Sequence, residues 1–163
     1  MEKENSKEIK PMPLLILTII TGIVGGTVGT IFIYLAHYFH FTSISPAIII
    51  SPIPGAWKAG WIGVVVTIIL YNLLSILAAL FYYGVLRKKT SLYWGLAYGL
   101  AIYILLFIGL PAVIPGMKPF YKLDINTILT ELCFFILYGM FIGYTISYEY
   151  NEQRYLKKIN VKH

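Results

Sequence analysis

The chain is short of charge before it is short of anything else. Only 12% of its 163 residues are Asp, Glu, Lys or Arg, about half the roughly 25% of an ordinary soluble domain. Between Lys10 and Lys58 there is none. A water-soluble fold of this size has no means of hiding a composition that is 58% hydrophobic. The lone cysteine, Cys133, permits no internal disulfide and leaves the redox compartment open. Catalytic signatures are missing too. There is no nucleophile elbow, phosphate loop, pair of aspartates on a helix, HExxH zinc motif or Gly-x-Gly-x-x-Gly after a strand, so no enzyme, cofactor or metal is expected. The net charge of +6 raises nucleic acid as a partner. The positive residues sit at the ends of apolar runs, however, which favours membrane orientation and contact with anionic lipid instead.

What the sequence does have is length of apolar run. Four helices are expected, at about 14–38, 60–86, 93–110 and 125–148, in one membrane domain over 1–163 with short tails at 1–13 and 149–163. The first, of 25 residues, would reach about 37 Å and cross a hydrocarbon core of about 30 Å with tilt. It is far longer than a signal-peptide core and ends in no small-x-small site, so it is expected to stay as a span. Pro111 is expected to end the third. Ten Lys and Arg residues fall in the two tails and the loop Arg87 to Lys89, against three (Lys58, Lys118, Lys122) in the other two loops. The bias places both termini in the cytoplasm. Trp57 and Trp61 then mark the outer boundary of the second helix, Tyr82 and Tyr83 its inner one, and Trp94 that of the third. The loop between the second and third helices is short, so these two are expected to be antiparallel neighbours. The fourteen tyrosines would suit interfacial belts where a ring sits half wet.

"TGIVGGTVGT", Thr21 to Thr30, puts four glycines into one presumptive helix, where each costs about 0.5–1 kcal/mol relative to alanine in water. In lipid little hydrophobic drive holds helices together, and small residues let backbones approach. Gly22 with Gly26 and Gly25 with Gly29 make two interlocking small-xxx-small pairs. Gly95 with Gly99 repeats the device in the third helix, and Gly139, Gly143 and Ser147 in the fourth. The second helix has a polar seam, Asn72, Ser75 and Ala79. These faces either pack inside a monomer or offer a surface for a homo-oligomer or a membrane partner.

Few ionisable groups approach membrane depth, where each is expensive to bury and therefore a candidate for function. Glu131 lies roughly 9 Å into the fourth helix if that helix starts near Asp124 or Asn126. His37 and His40 sit at the same end. Two histidines plus carboxylates have the chemistry of a zinc site or a proton relay; interfacial histidines bonded to backbone or water are the plainer reading. Glu131 is either paired inside the bundle or in contact with a ligand or ion. Asn72 either glues helices or touches substrate. The first loop, "FHFTSISPAIIISPIPGAWKAGW", is too apolar to be simply solvated, and Ala47 to Ile50 is expected to rest in the interface or dip into the bundle mouth. With the loop around Pro111, Pro115 and Pro119 it either caps the bundle or presents a surface to lipid or partner.

"HFTSISP" (His40 to Pro46), "WKAGWIG" (Trp57 to Gly63) and "LYGMFIGYTISYEY" (Leu137 to Tyr150) together resemble the YqhR family, small integral membrane proteins of endospore-forming Gram-positive bacteria. The resemblance covers about residues 10–150 and implies a four-span inner membrane protein. It carries no activity with it, so no catalytic residue is transferred. The expected function is that of a non-enzymatic envelope protein working through contacts with a membrane partner or lipid. The alternatives are a small oligomeric transporter or channel with a polar pathway near Asn72 and Glu131, which needs at least a dimer to enclose a path, and a lipid-headgroup enzyme.

Overall fold

The computed structural model describes residues 12–89, 91–114 and 117–160. Lys3, Lys7 and Lys10 of the amino tail, Pro115 and Lys162 lie outside the described residues. Within them the chain is helical: α1 (Leu14–Tyr38), α2 (Trp61–Val85), α3 (Leu92–Val113) and α4 (Ile125–Asn160), with short 3-10 turns at Pro46–Ile50, Ala56–Ala59 and Phe120–Lys122. All four α-helices contain segments long and apolar enough to cross a membrane. Gln153 on α4 donates to the Met12 carbonyl just before α1 at 2.7 Å. Both ends of the described chain therefore share one end of the bundle, here called the tail end; the first and third connections form the loop end.

Burial is inverted relative to a soluble protein. Leu105, Ile108 and Phe81 are 70%, 72% and 63% exposed, while Thr18, Thr30, Thr67 and Ser75 are buried. That arrangement is stable only where acyl chains solvate the outside. The buried threonines of α1 are satisfied within their own helix: Thr18, Thr21 and Thr30 donate to the carbonyls of Leu14, Leu17 and Gly26 at 2.8, 2.8 and 2.6 Å. Such back-bonding satisfies these three hydroxyls without a partner from another helix.

The bundle is two tight pairs, α1 with α2 and α3 with α4, joined mainly where α1 meets α4. A Cβ added at Gly22 would stand 2.7 Å from the Ile76 Cα, and one at Gly26 would stand 2.8 Å from both Asn72 Oδ1 and Ser75 Cβ. Gly25 instead faces Tyr138 and Phe141 of α4. Gly95, Gly99, Gly139 and Gly143 interlock α3 with α4, backbone against backbone. Ser75 is the node where three helices meet. Its hydroxyl donates to the Gly22 carbonyl at 2.6 Å and lies 2.8 Å from the Tyr138 hydroxyl.

Several elements differ from expectation. Helices α2 and α3 touch through side chains rather than close backbones: Tyr98 stands between them, donating to the Ala78 carbonyl at 2.6 Å. Three tyrosines leave the expected belts for the interior: Tyr98 is buried, Tyr82 pairs with Ser147 at 3.0 Å, and Tyr103 joins Phe107, Ile114 and Met117 in a loop-end core. Helix α3 runs on past Pro111 to Val113; the proline costs one hydrogen bond in a turn that is already ending. Helix α4 continues twelve residues beyond 148, because nothing after Gly143 is Gly or Pro and Gln153 bonds Glu149 one turn back at 2.9 Å. Gly29 meets nothing within 4 Å.

Candidate functional site

The loop end is built by the chain folding back on itself after α1. His40 has φ 61°, and around it the Phe41 N–H bonds the Ala36 carbonyl at 2.8 Å while the His40 N–H bonds that of His37 at 3.1 Å. This is the Schellman arrangement that ends helices, with histidine in the left-handed position where glycine is usual. The reversal turns Thr42 and Ser43 toward α4. We expect His40→Gly to raise the thermal midpoint of the purified protein, by up to about 1 kcal/mol of stability, since a left-handed residue with a Cβ is strained by about that much. A loss of stability in a melt would show that the ring makes a needed contact.

Thr42 donates to Glu131 Oε1 at 3.0 Å and accepts the Ile44 N–H at 3.2 Å. Both residues are buried, Glu131 at 5% exposure. One residue on, the Ser43 N–H donates to Thr127 Oγ1 at 2.9 Å, the Ser43 hydroxyl lies 3.1 Å from that same oxygen, and Thr130 donates to the Phe41 carbonyl at 3.3 Å. Three successive loop residues are thus laid along the first turns of α4. The chain then enters the turn Pro46–Ile50, which dips into the bundle mouth with Pro46 and Ile50 buried and Ile44 and Ile48 against the Tyr103 and Phe107 cluster. Tyr71 of α2 donates to the Pro46 carbonyl at 3.3 Å. Tyr71 and Tyr103 both lie near Glu131, and Tyr34 lies near Tyr71. Among the described residues two hydroxyls, Tyr34 Oη and Thr67 Oγ1, are buried without a partner.

Of the four candidate contact residues, the structure brings two together. His37 Nδ1 lies 3.3 Å from the Thr42 carbonyl, so His37 and Glu131 hold opposite sides of one threonine. His40 is exposed. Among the described residues no three His, Cys, Asp or Glu side chains come together as a metal site. Asn72 lies deeper, accepting from Thr27 at 3.0 Å and donating to the Ile68 carbonyl at 2.9 Å, which ties α1 to α2. Thr42, Thr127 and Tyr71 carried no signal in the sequence: an isolated hydroxyl in a loop, at a helix start or in mid-helix has no period, and their partners lie far along the chain.

Four apolar spans with small residues inside, and a loop-end carboxyl group closed over by the chain's own loop, define a polytopic α-helical membrane protein. The profile of the family described as conserved membrane protein YqhR matches residues 1–161. The chain is also 37% identical over 152 residues to the uncharacterized protein YqhR of Bacillus subtilis (strain 168), covering 93% of this chain and 85% of that one. The chain belongs to the YqhR family of membrane proteins. No solved structure matches it.

Proposed function

We propose that this is a non-catalytic protein of the bacterial plasma membrane, with both termini in the cytoplasm, that works by contact with a membrane protein partner at its loop end. The observation that carries the reading is the closure of Glu131 by Thr42. An acid or base must reach its substrate, and here the loop covers the carboxyl group. What faces outward instead is an aromatic ridge. The rings of Tyr38 and Phe39 lie 5.4 Å apart and those of Phe39 and Phe41 6.3 Å apart, and all three are exposed. Exposed aromatics clustered in this way are the commonest anchors of protein contacts.

The reading is tested by placing a photo-crosslinking amino acid at Phe41 and, as a lipid-facing control, at Leu105 in native membranes. A discrete, saturable protein adduct at position 41 alone is expected; equal adducts at both positions would defeat the proposal. The orphaned hydroxyls of Tyr34 and Thr67 favour the transport alternative, and a proteoliposome ion flux abolished by Glu131→Gln would put it in place of the contact reading. Orientation is checked in intact cells with Cys133 replaced by Ala. An impermeant thiol reagent is expected to label Ser45→Cys and spare Lys88→Cys; the opposite pattern would invert the topology.

A further inference from the structure

At the tail end the structure holds a second feature, independent of whatever docks at the loop end. Between the start of α3 and the side of α4 lies a cleft of about 290 Å³, lined among others by Ser91, Leu92, Tyr144, Ser147, Tyr148 and Asn151. We propose that this cleft, with the basic turn between α2 and α3, binds one anionic phospholipid.

The polarity of the cleft changes along its length in the order a phospholipid requires. Toward the bundle middle its wall is the stacked pair Tyr144 and Tyr148, ring centroids 5.6 Å apart, both exposed to the bilayer side. This is a surface for an acyl chain. Toward the tail end the lining turns polar at Ser91 and Asn151, and three cations, Arg87, Lys88 and Lys89, stand two to four residues before Ser91 in the chain. Two of these are positioned rather than loose. The Arg87 guanidinium sits 4.6 Å from the Tyr83 ring centre and 5.5 Å from that of Tyr150, the neighbour of Asn151 on α4, while the Lys89 ammonium sits 4.8 Å from the Trp94 ring centre. Cation–π contacts hold the heads in place without neutralising them, so the charge remains available to an anion.

Two further features agree in sign. Ser91, the N-cap of α3, makes no side-chain bond to the first turn; its carbonyl takes the Trp94 N–H at 3.0 Å, and the turn presents the positive end of a helix dipole. On α4, Arg154 and Lys158 follow Asn151 at helical spacing and extend the cationic line away from the bilayer. The acidic residues of this segment lie off that line, Glu152 about 100° and Glu149 about 200° round the helix from Asn151, and Glu149 is engaged by Gln153. The volume suits a length of acyl chain rather than a whole lipid. The headgroup would therefore rest on the basic turn, at interfacial depth, where each nearby cation contributes roughly a fivefold gain for an anionic surface.

The test is native mass spectrometry of the full chain titrated with phosphatidylglycerol or phosphatidylcholine. A first phosphatidylglycerol adduct is expected at roughly tenfold lower lipid concentration than the first phosphatidylcholine adduct. Arg87→Gln with Lys89→Gln should erase that preference, Arg87→Lys should keep it, and Lys58→Gln with Lys122→Gln at the loop end should leave it unchanged. Tyr148→Ser, which removes half the acyl wall, should weaken both lipids alike. Equal affinity for the two lipids, or a preference that survives the Arg87 and Lys89 double substitution with the helical fold intact, would overturn the proposal. Displacement of phosphatidylglycerol by millimolar inorganic phosphate would overturn it in favour of a free-phosphate site.

Discussion

Gly139→Ala is expected to abolish most of the folded protein, while Gly29→Ala leaves it intact. A Cβ at position 139 would stand 2.5 Å from both the Gly95 carbonyl oxygen and the Gly99 Cα. These are backbone atoms of a neighbouring helix and cannot rotate aside. The only relief is for α3 and α4 to separate. That would also unseat Gly143 from Gly95 and strain the bond by which Tyr98 holds α2. Overpacking a core usually costs about 1–3 kcal/mol, and contact with backbone places this substitution at the upper end or beyond. At Gly29 the same methyl meets nothing within 4 Å, and alanine improves helix propensity by up to about 1 kcal/mol. Size-exclusion yield and thermal midpoint in detergent check both at once. Wild-type behaviour of Gly139→Ala would mean that α3 and α4 do not meet backbone to backbone. Gly26→Leu, pressed against Asn72 and Ser75, should fall near Gly139→Ala.

The contrast between these two glycines shows where sequence reasoning reaches and where it stops. The spacing of small residues reveals which faces permit close approach, and Gly22, Gly26, Gly95, Gly99, Gly139 and Gly143 all lie against a neighbouring helix. Smallness cannot reveal whether the other helix comes near. About two turns beyond Gly25 the rings of Phe32 and Phe134 stand between α1 and α4, centroids 6.1 Å apart, and one turn beyond it Gly29 faces open space. Helix existence was legible from the absence of charge, but helix ends were less so. Pro111 was expected to stop α3 and instead sits inside its last turn, and the polar composition after 148 hid the uninterrupted helix formers that prolong α4. Glu131 was legible as a carboxylate in an apolar run. Its partner was not, because Thr42 is 89 residues away in sequence and reaches Glu131 only through the left-handed turn at His40. The tyrosines misled in a different way. A ring with one polar atom suits an interface and also suits the inside of a lipid-solvated bundle, where its hydroxyl finds a carbonyl or a serine.

Thr42→Val is expected to destabilise the protein by about 1–3 kcal/mol, the cost of leaving a buried polar group without its partner. Valine keeps the shape of the side chain and removes only the hydroxyl. Two groups then lose a partner: Glu131, which accepts from Thr42, and the Ile44 N–H, which donates to it. Glu131→Gln should be mild by comparison, because an amide oxygen still accepts from Thr42 in nearly the same volume. Pairing Thr42→Val with Glu131→Met should recover part of the loss, since a matched apolar pair no longer holds an unsatisfied group against hydrocarbon, and removing both partners is often nearly neutral where removing one is not. Thermal or denaturant unfolding of the wild type, Thr42→Val, Glu131→Met and the double variant closes a double-mutant cycle whose coupling term isolates the bond. A coupling near zero would mean the loop is held by Ser43 and Thr127 and that Thr42 only covers the carboxyl group. The same variants separate structure from use. If Glu131→Gln melts like the wild type yet fails to support growth of a strain lacking the gene, the ionisable proton itself is required, and closure by Thr42 is a resting state rather than a lock. If it melts like the wild type and supports growth fully, Glu131 belongs to the architecture that aims the aromatic ridge, and the working surface lies outside it.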